Sequence, residues 1–308
     1  TMGLHINSPI ADTMIMNHLF YEEPPHRLEA LSKEYFNIPM AKYKDIMGKH
    51  DPRSVEPGHE IWESFLDYGS LDALVTLKLF HYLKSKLTNT KLWKGSEDSR
   101  SLYDLYWEYE EPQLNILYSM GRRGIKVDVE HLQKVEKGLE EEKEACAKEV
   151  CKLARKPVNP GSPQQIAELL FGKEEGDFGL KSLETTDKGR DKCNEKVLNT
   201  IVKNLSVEPY LSDEDSQRAA QIAKKVIQYK KASKLKGTYT TGIIKRLDDN
   251  NFLHTIFKPM TKSGRLSSSD PNLQNLPSAR KDPHNIRGAF VADDEDHILI
   301  GADYSQLE

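Results

Sequence analysis

Residues 264–277, GRLSSSDPNLQNLP, hold three serines, an Asp-Pro pair and three side-chain amides in fourteen positions. Asp270 and Pro271 suit a tight turn, because Asp hydrogen-bonds its own backbone and Pro fixes φ near −65°. The reading across the stretch is turn chemistry throughout. Asn272, Gln274 and Asn275 each carry donors and an acceptor, which either satisfy the loop itself or face a polar partner. On both sides the chain is β-rich, FLHTIFKPM at 252–260 and HILIGAD at 297–303. The last sixty residues are therefore expected to start an antiparallel sheet. Asp303 is expected at the end of an apolar strand, where a buried backbone stands behind an exposed carboxylate; a plain turn after a strand gives the same pattern.

Upstream the periodicity is helical. PPHRLEALSKEYFNI (24–38) places Leu28, Leu31, Tyr35 and Phe36 on one face, and residues 61–87 form one long apolar-periodic run. The polar stretch 88–101 reads as a linker. A helix over 101–124 should end at Gly121 or Gly124, followed by extended IKVD and a long charged helix over 129–154. In NPGSPQQIAELLF, Ser162 is the expected N-cap, Pro163 the first helical residue and Gln165 the reciprocal capping partner. Residues 172–194 read as a mobile tip, and two further helices follow.

Charge is uneven. Residues 218–246 contain nine Lys or Arg and no acid, while residues 258–287 carry six bases against Asp270 and Asp282. With +9 and +4 there and −4 overall, the rest of the chain carries −17. The balance excludes a uniformly basic histone-like protein and suits a polyanion bound along one groove. A mean hydropathy of −0.65 without an 18-residue apolar run excludes a membrane-spanning helix, and the first residues lack a signal peptide. A soluble, cytoplasmic protein without a membrane partner is expected. Three cysteines without CxxC spacing indicate neither a disulfide framework nor a zinc site. Both ends look cut, so the chain is read as a fragment.

GRLSSSDPNLQNLP, followed by IRGAF (286–290) and GADYSQLE (301–308), closely resembles the family A DNA polymerases, the group of bacterial DNA polymerase I and many phage replicases. RRGIKVD, NPGSPQQIAELLF and YKKASKLKGTY resemble that family's thumb region in order, and YGSLDALVTLKL resembles the third motif of its proofreading exonuclease. The resemblance implies an α+β multidomain fold. Its expected parts are the helical remnant of a ribonuclease H-like 3′→5′ exonuclease domain (1–88), a linker (89–101), a palm-entry helix and strand (102–135), a helical thumb (136–247) and the start of an antiparallel palm sheet (248–308). The implied activity is template-directed addition of deoxynucleotides to a primer 3′-hydroxyl with two Mg²⁺ ions. Its partners would be primer–template DNA and deoxynucleoside triphosphates, and the protein would be a monomer.

By the same resemblance Asp303 ligates both metals with the carbonyl of Tyr304, and Tyr304, Gln306 and Glu308 border the incoming nucleotide, Glu308 excluding a 2′-hydroxyl. Arg265 reads the minor-groove acceptors that every base pair presents. Asn272, Gln274 and Asn275 contact the primer–template, and Lys234, Lys236, Thr238 and Tyr239 lie nearest the duplex backbone. The chain departs from the family pattern at Gly237, usually Ser, and at Ala279 before Arg280. Tyr68 and Asp72 form the Y-x3-D pattern, at i and i+4 on one helix face, with Asp72 as a metal-binding carboxylate and Tyr68 orienting water. Divalent ions at that site require acids expected upstream of this chain; Asp12 reads better as a helix cap. The rival readings are a non-catalytic primer–template binding module and a stand-alone nuclease.

Overall fold

A computed structural model describes residues 10–23, 25–92, 100–206, 213–278 and 282–304. The fold is mostly helical α+β with two small antiparallel sheets, and the chain divides into two compact units. The first comprises residues 1–123 with 255–270, the second 124–254 with 271–308.

In the first unit, α1 (Thr13–Phe20), α2 (Leu28–Phe36) and α3 (Tyr43–Met47) lie against the long α4 (Trp62–Asn89). Val75, Leu79, Leu83 and Leu87 recur every four residues, so they form one stripe down α4, and all four are fully buried. Asp12 caps α1, accepting from the amides of Met14 and Ile15, and its own N–H donates to the Tyr106 hydroxyl at 2.8 Å. Tyr106 belongs to a helix running from α5 (Leu102–Leu105) through a π turn (Tyr106–Glu110) into α6 (Glu111–Arg123). Pro112 explains the π turn: it has no N–H for the carbonyl of Glu108 and its ring crowds that oxygen, so the ladder widens and Glu111 N bonds to Tyr106 O. The helix ends at Gly124, whose φ of +69° suits a residue without Cβ. It packs in the same core as α1, α2 and α4, so the contacts divide at 123/124 and not at the expected linker. Beside that linker Leu92 N bonds to Arg100 O and Leu102 N to Thr90 O, so residues 90–92 pair with 100–102. A hairpin of β3 (Ile256–Lys258) and β4 (Ser267–Ser269) completes the unit, with Ile256 opposite Ser269.

β4 corrects the expectation of turn chemistry throughout 264–277. Serine has little strand preference, but here cross-strand pairing decides: Ser268 is buried and Thr255 Oγ1 donates to the carbonyl of Ser269.

The second unit is built on α7 (Val129–Ala154) and α10 (Glu214–Leu235), which pack antiparallel. Near one end Val150 and Ala154 meet Ala219, Ala220, Ile222, Ala223 and Val226 in a core shared with α8 (Pro163–Phe171) and α9 (Glu195–Asn204); near the other, Leu132, Val135 and Leu139 meet Ala232 and Leu235. Ser162 caps α8 and Pro163 is its first residue, as the sequence predicts. Gln165 differs: its Oε1 accepts from Asn159 N, because Ser162 N is already turned back to Asn159 O. α10 runs into a second π turn (Lys236–Thr240) and a short α11 (Thr241–Ile244). Gly242 is required there, since a Cβ would lie 2.6 Å from the carbonyl oxygen of Gly237. A three-stranded sheet orders β2 (Phe252–Leu253), β1 (Ile125–Val127) and β5 (Phe290–Val291), with β1 central and both neighbours antiparallel.

The expected strand HILIGAD is not one. Residues 297–304 carry no ladder, and Ile298 and Ile300 are 79% and 83% exposed. A strand is defined by its partner, and this apolar run finds none among the described residues.

A buried polar chain in the first unit sets an acid limit. Asn17, 1% exposed, accepts from the Tyr35 hydroxyl on Oδ1 and donates through Nδ2 to His26 Nδ1. Tyr35 is pushed up to about 12, mainly by burial. With Oδ1 taken, Asn17 offers His26 a donor, and a proton on Nδ1 would face it. Burial, and then the neighbouring His18, hold the His26 pKa below its ordinary value, a backbone bond at Glu22 offsetting part. The unfolded ring takes its proton first, so this contribution is whole above about pH 6.5 and is lost as pH falls through the lower folded value. The thermal midpoint should drop between pH 7.5 and 5.5, and should drop less in His26→Gln; equal losses would clear the ring of any part.

Candidate nucleic-acid interface and carboxylates

α10 sorts the nine basic residues of 218–246 by what its back face buries. Ala219, Ala223, Val226 and Ala232 are buried, which leaves Gln221, Lys224, Gln228, Lys231 and Lys234 exposed at helical spacing on the opposite face. From Lys224 to Lys234 the stripe rises about 15 Å. Four of the other six cations are engaged within the unit. Arg218 donates to Leu153 O and Asp215, Lys230 Nζ to Cys193 O at 2.9 Å, and Arg246 to Gly242 O. Lys236, expected near the duplex backbone, is paired as well: its ammonium lies 2.6 Å from Glu140 Oε2 on α7. The hydrogen bonds of Lys236 and then Lys143 hold Glu140 below the ordinary carboxylate range, and the same bond raises Lys236.

Through the π turn the buried positions Ala232, Leu235, Tyr239 and Ile243 keep intervals of three and four residues. Gly237 and Thr238 point outward, Thr238 continuing the stripe, while Tyr239 and Thr240 turn into the core. Tyr239, expected at the duplex backbone, is 8% exposed and donates its hydroxyl to the carbonyl of Asn275 at 2.6 Å. That bond reaches the amide turn, where Asn272, Gln274 and Asn275 are exposed and Leu273 and Leu276 pack inward. Asn272 Oδ1 accepts from the amides of Gln274 and Asn275, so one amide of the ladder shapes the turn that presents the others. α10, the π turn and this turn all belong to the second unit.

Arg265 belongs to the first unit and is exposed on the turn between β3 and β4, where Thr261 Oγ1 donates to its carbonyl. In the same unit Tyr68 and Asp72 do meet across one turn of α4. Burial and the bond to Asp72 raise the Tyr68 phenol, and its ring packs against Tyr43 with centroids 6.0 Å apart. Asp72 opens on a cavity of about 490 Å³ lined by Ala11, Thr13, Thr76, Leu77 and Phe80.

Asp303 and Tyr304 are exposed in the second unit; Gln306, Glu308 and Arg280 lie outside the described residues. Among the described residues no three His, Cys, Asp or Glu side chains come together to hold a metal ion. Asp303 and Asp72 do not assemble the two-Mg²⁺ arrangement with their described neighbours. Lys224 and Lys231 were not singled out from sequence. Their signal was present in the spacing 224, 231, 234 against buried alanines, but it needed the partner helix to show which face turns out.

Comparison with known proteins fits this layout. Residues 129–308 match the DNA polymerase family A model and residues 5–88 match a 3′-5′ exonuclease model. DNA polymerase I of Rhizobium leguminosarum is 30% identical over 300 residues, 96% of this chain and 27% of that protein. The Bacillus subtilis (strain 168) enzyme is 32% identical over 313 residues, covering 99% and 31%. The thermostable DNA polymerase I of Thermus thermophilus is 35% identical over 239 residues, covering 77% and 25%. The chain thus spans well under half the length of these relatives. The POL domain of Pol1 from M. smegmatis, in complex with DNA primer-template and dNTP, superposes with a TM-score of 0.64 at 21% identity, over 91% of this chain and 41% of that one. That likeness concerns the fold. The family match covers more than half of the residues, and the chain belongs to DNA polymerase family A.

Proposed function

We propose that this chain is the exonuclease-to-early-palm part of a DNA-directed DNA polymerase, acting in the cytoplasm on primer–template DNA and deoxynucleoside triphosphates. The second unit grips the duplex by sequence-independent phosphate contacts. The observation that carries the reading is the exposed stripe Lys224, Lys231, Lys234 and Thr238, which leads through the π turn to the turn holding Asn272, Gln274 and Asn275. Cations alone attract any polyanion; amides held beside them add donors and acceptors suited to sugar and minor-groove edges, which report pairing without reading sequence. Arg265 supplies a further minor-groove donor fork in this reading.

In the same reading residues 1–88 are the remnant of a ribonuclease H-like exonuclease domain, 136–247 the thumb and 248–308 the first part of the palm. Asp303 is one carboxylate of the polymerase centre, with the carbonyl of Tyr304 beside it. Oxygen ligands of this kind suit Mg²⁺, and the site calls for further carboxylates than the described residues bring. Gln306 and Glu308 complete the nucleotide edge. On the first unit, the Tyr68–Asp72 pair contributes a phenol and a carboxylate to proofreading.

Duplex binding by the 308-residue chain should weaken with salt, with a log–log slope of about −0.9 per phosphate neutralised. Lys231→Ala with Lys234→Ala should flatten that slope by roughly 1.8, whereas Lys236→Ala should leave it nearly unchanged because Glu140 holds that ammonium. A slope untouched by the double substitution would return these lysines to a solvated face.

In the longer polymerase polypeptide, Asp303→Asn keeps the side chain's shape and removes its charge. Primer extension should fall by about 100-fold or more while duplex affinity stays within about twofold. Near-normal turnover at saturating Mg²⁺ would remove Asp303 from the centre.

A further inference from the structure

Three consecutive carbonyls of the amide turn are claimed by two side chains. The Tyr239 hydroxyl donates to Asn275 O at 2.6 Å, Arg287 Nη2 donates to Leu276 O at 3.2 Å, and Arg287 Nε donates to Pro277 O at 2.6 Å. A guanidinium carries its donors in a fixed plane, so it can hold adjacent carbonyls at once. With these three carbonyls engaged and Leu273 and Leu276 packed against the core, Asn272, Gln274 and Asn275 are exposed.

Both claimants are themselves fixed. Arg287 sits on a 3-10 turn (Ile286–Ala289) whose Ile286 and Ala289 are fully buried, and its own N–H donates to Asp282 Oδ2 at 3.2 Å. Tyr239 is buried on the π turn at the end of the basic helix, next to exposed Thr238.

We infer that Tyr239 and Arg287 are positioning residues for the primer–template: they lock the amide turn to the end of α10, so that the lysine stripe and the amides meet the duplex as one preformed surface. Neither need touch DNA. The inference rests on the duplex reading above and adds to it the device that keeps the two halves of the surface in register. Ordering the turn before binding removes that cost from the binding step.

Arg287→Gln, Arg287→Lys and Tyr239→Phe separate this role from others in the 308-residue chain, using anisotropy with a labelled primer–template duplex across a salt series and amide exchange of the free protein. Arg287 is exposed, so its two carbonyls pass to water when it is replaced; Tyr239→Phe removes a single hydroxyl and keeps the packing. Arg287→Gln and Arg287→Lys should both weaken binding by about tenfold at every salt concentration, with a slope parallel to wild type, because no phosphate contact is lost. Tyr239→Phe should weaken it by about threefold to fivefold, and in all three the amides of Gln274 and Asn275 should exchange faster before DNA is added. A slope flattened by about 0.9 in Arg287→Gln, or full rescue by Arg287→Lys, would make Arg287 a charge contact and overturn the inference. Wild-type affinity in all three variants would overturn it alone, while a wild-type chain that binds no duplex would overturn the duplex reading and this inference with it.

Discussion

The second unit depends on how closely α10 can lie against α7. Four alanines on the buried face of α10, at 219, 220, 223 and 232, keep that face low, and larger apolar residues of α7 fill the seam. A helix with nine bases and no acid among its last turns and their continuation would repel itself if it turned freely in water. Burying one face fixes its rotation and leaves Lys224, Lys231 and Lys234 on the other. The α7 side also supplies Glu140, which removes Lys236 from that set. Surface charge is thus set by packing rather than by composition.

Much of this was legible from the residues. The helices follow their apolar spacing, Ser162 and Pro163 start α8, and Asp12 caps α1 as its residue type suggests. The turn motif, IRGAF and the last eight residues carried the family. What escaped has one cause in several forms: a local pattern cannot see a distant partner. Ser267–Ser269 reads as turn until Ile256–Lys258 pairs with it, and HILIGAD reads as strand although no described residues pair with it. Tyr239, which the resemblance put near the duplex backbone, is buried with Ala232, Leu235 and Ile243, a grouping that shows only once the partner helix is in place.

The candidate site was legible to a different depth in each unit. Tyr68 and Asp72 sit on one uninterrupted helix, so i and i+4 spacing alone brings them together. The amide turn carries its three side chains within four residues, yet what orients them comes from Tyr239, 36 residues before Asn275, and from Arg287 beyond it. Arg287 was read from sequence only as part of IRGAF. Its fork has no sequence signature, since any arginine can reach two carbonyls and only the path of the chain decides which.

The open stretch at 298–300 has a consequence for the chain in isolation. Ile298, Leu299 and Ile300 are three consecutive large aliphatic side chains, each more than half exposed, on a segment with no paired edge among the described residues. β-branched residues with unsatisfied backbone groups are a template for strand pairing between molecules. Concentrated on its own, the polypeptide offers an adhesive point there, and backbone pairing at that stretch gives copies of the chain a route to self-association.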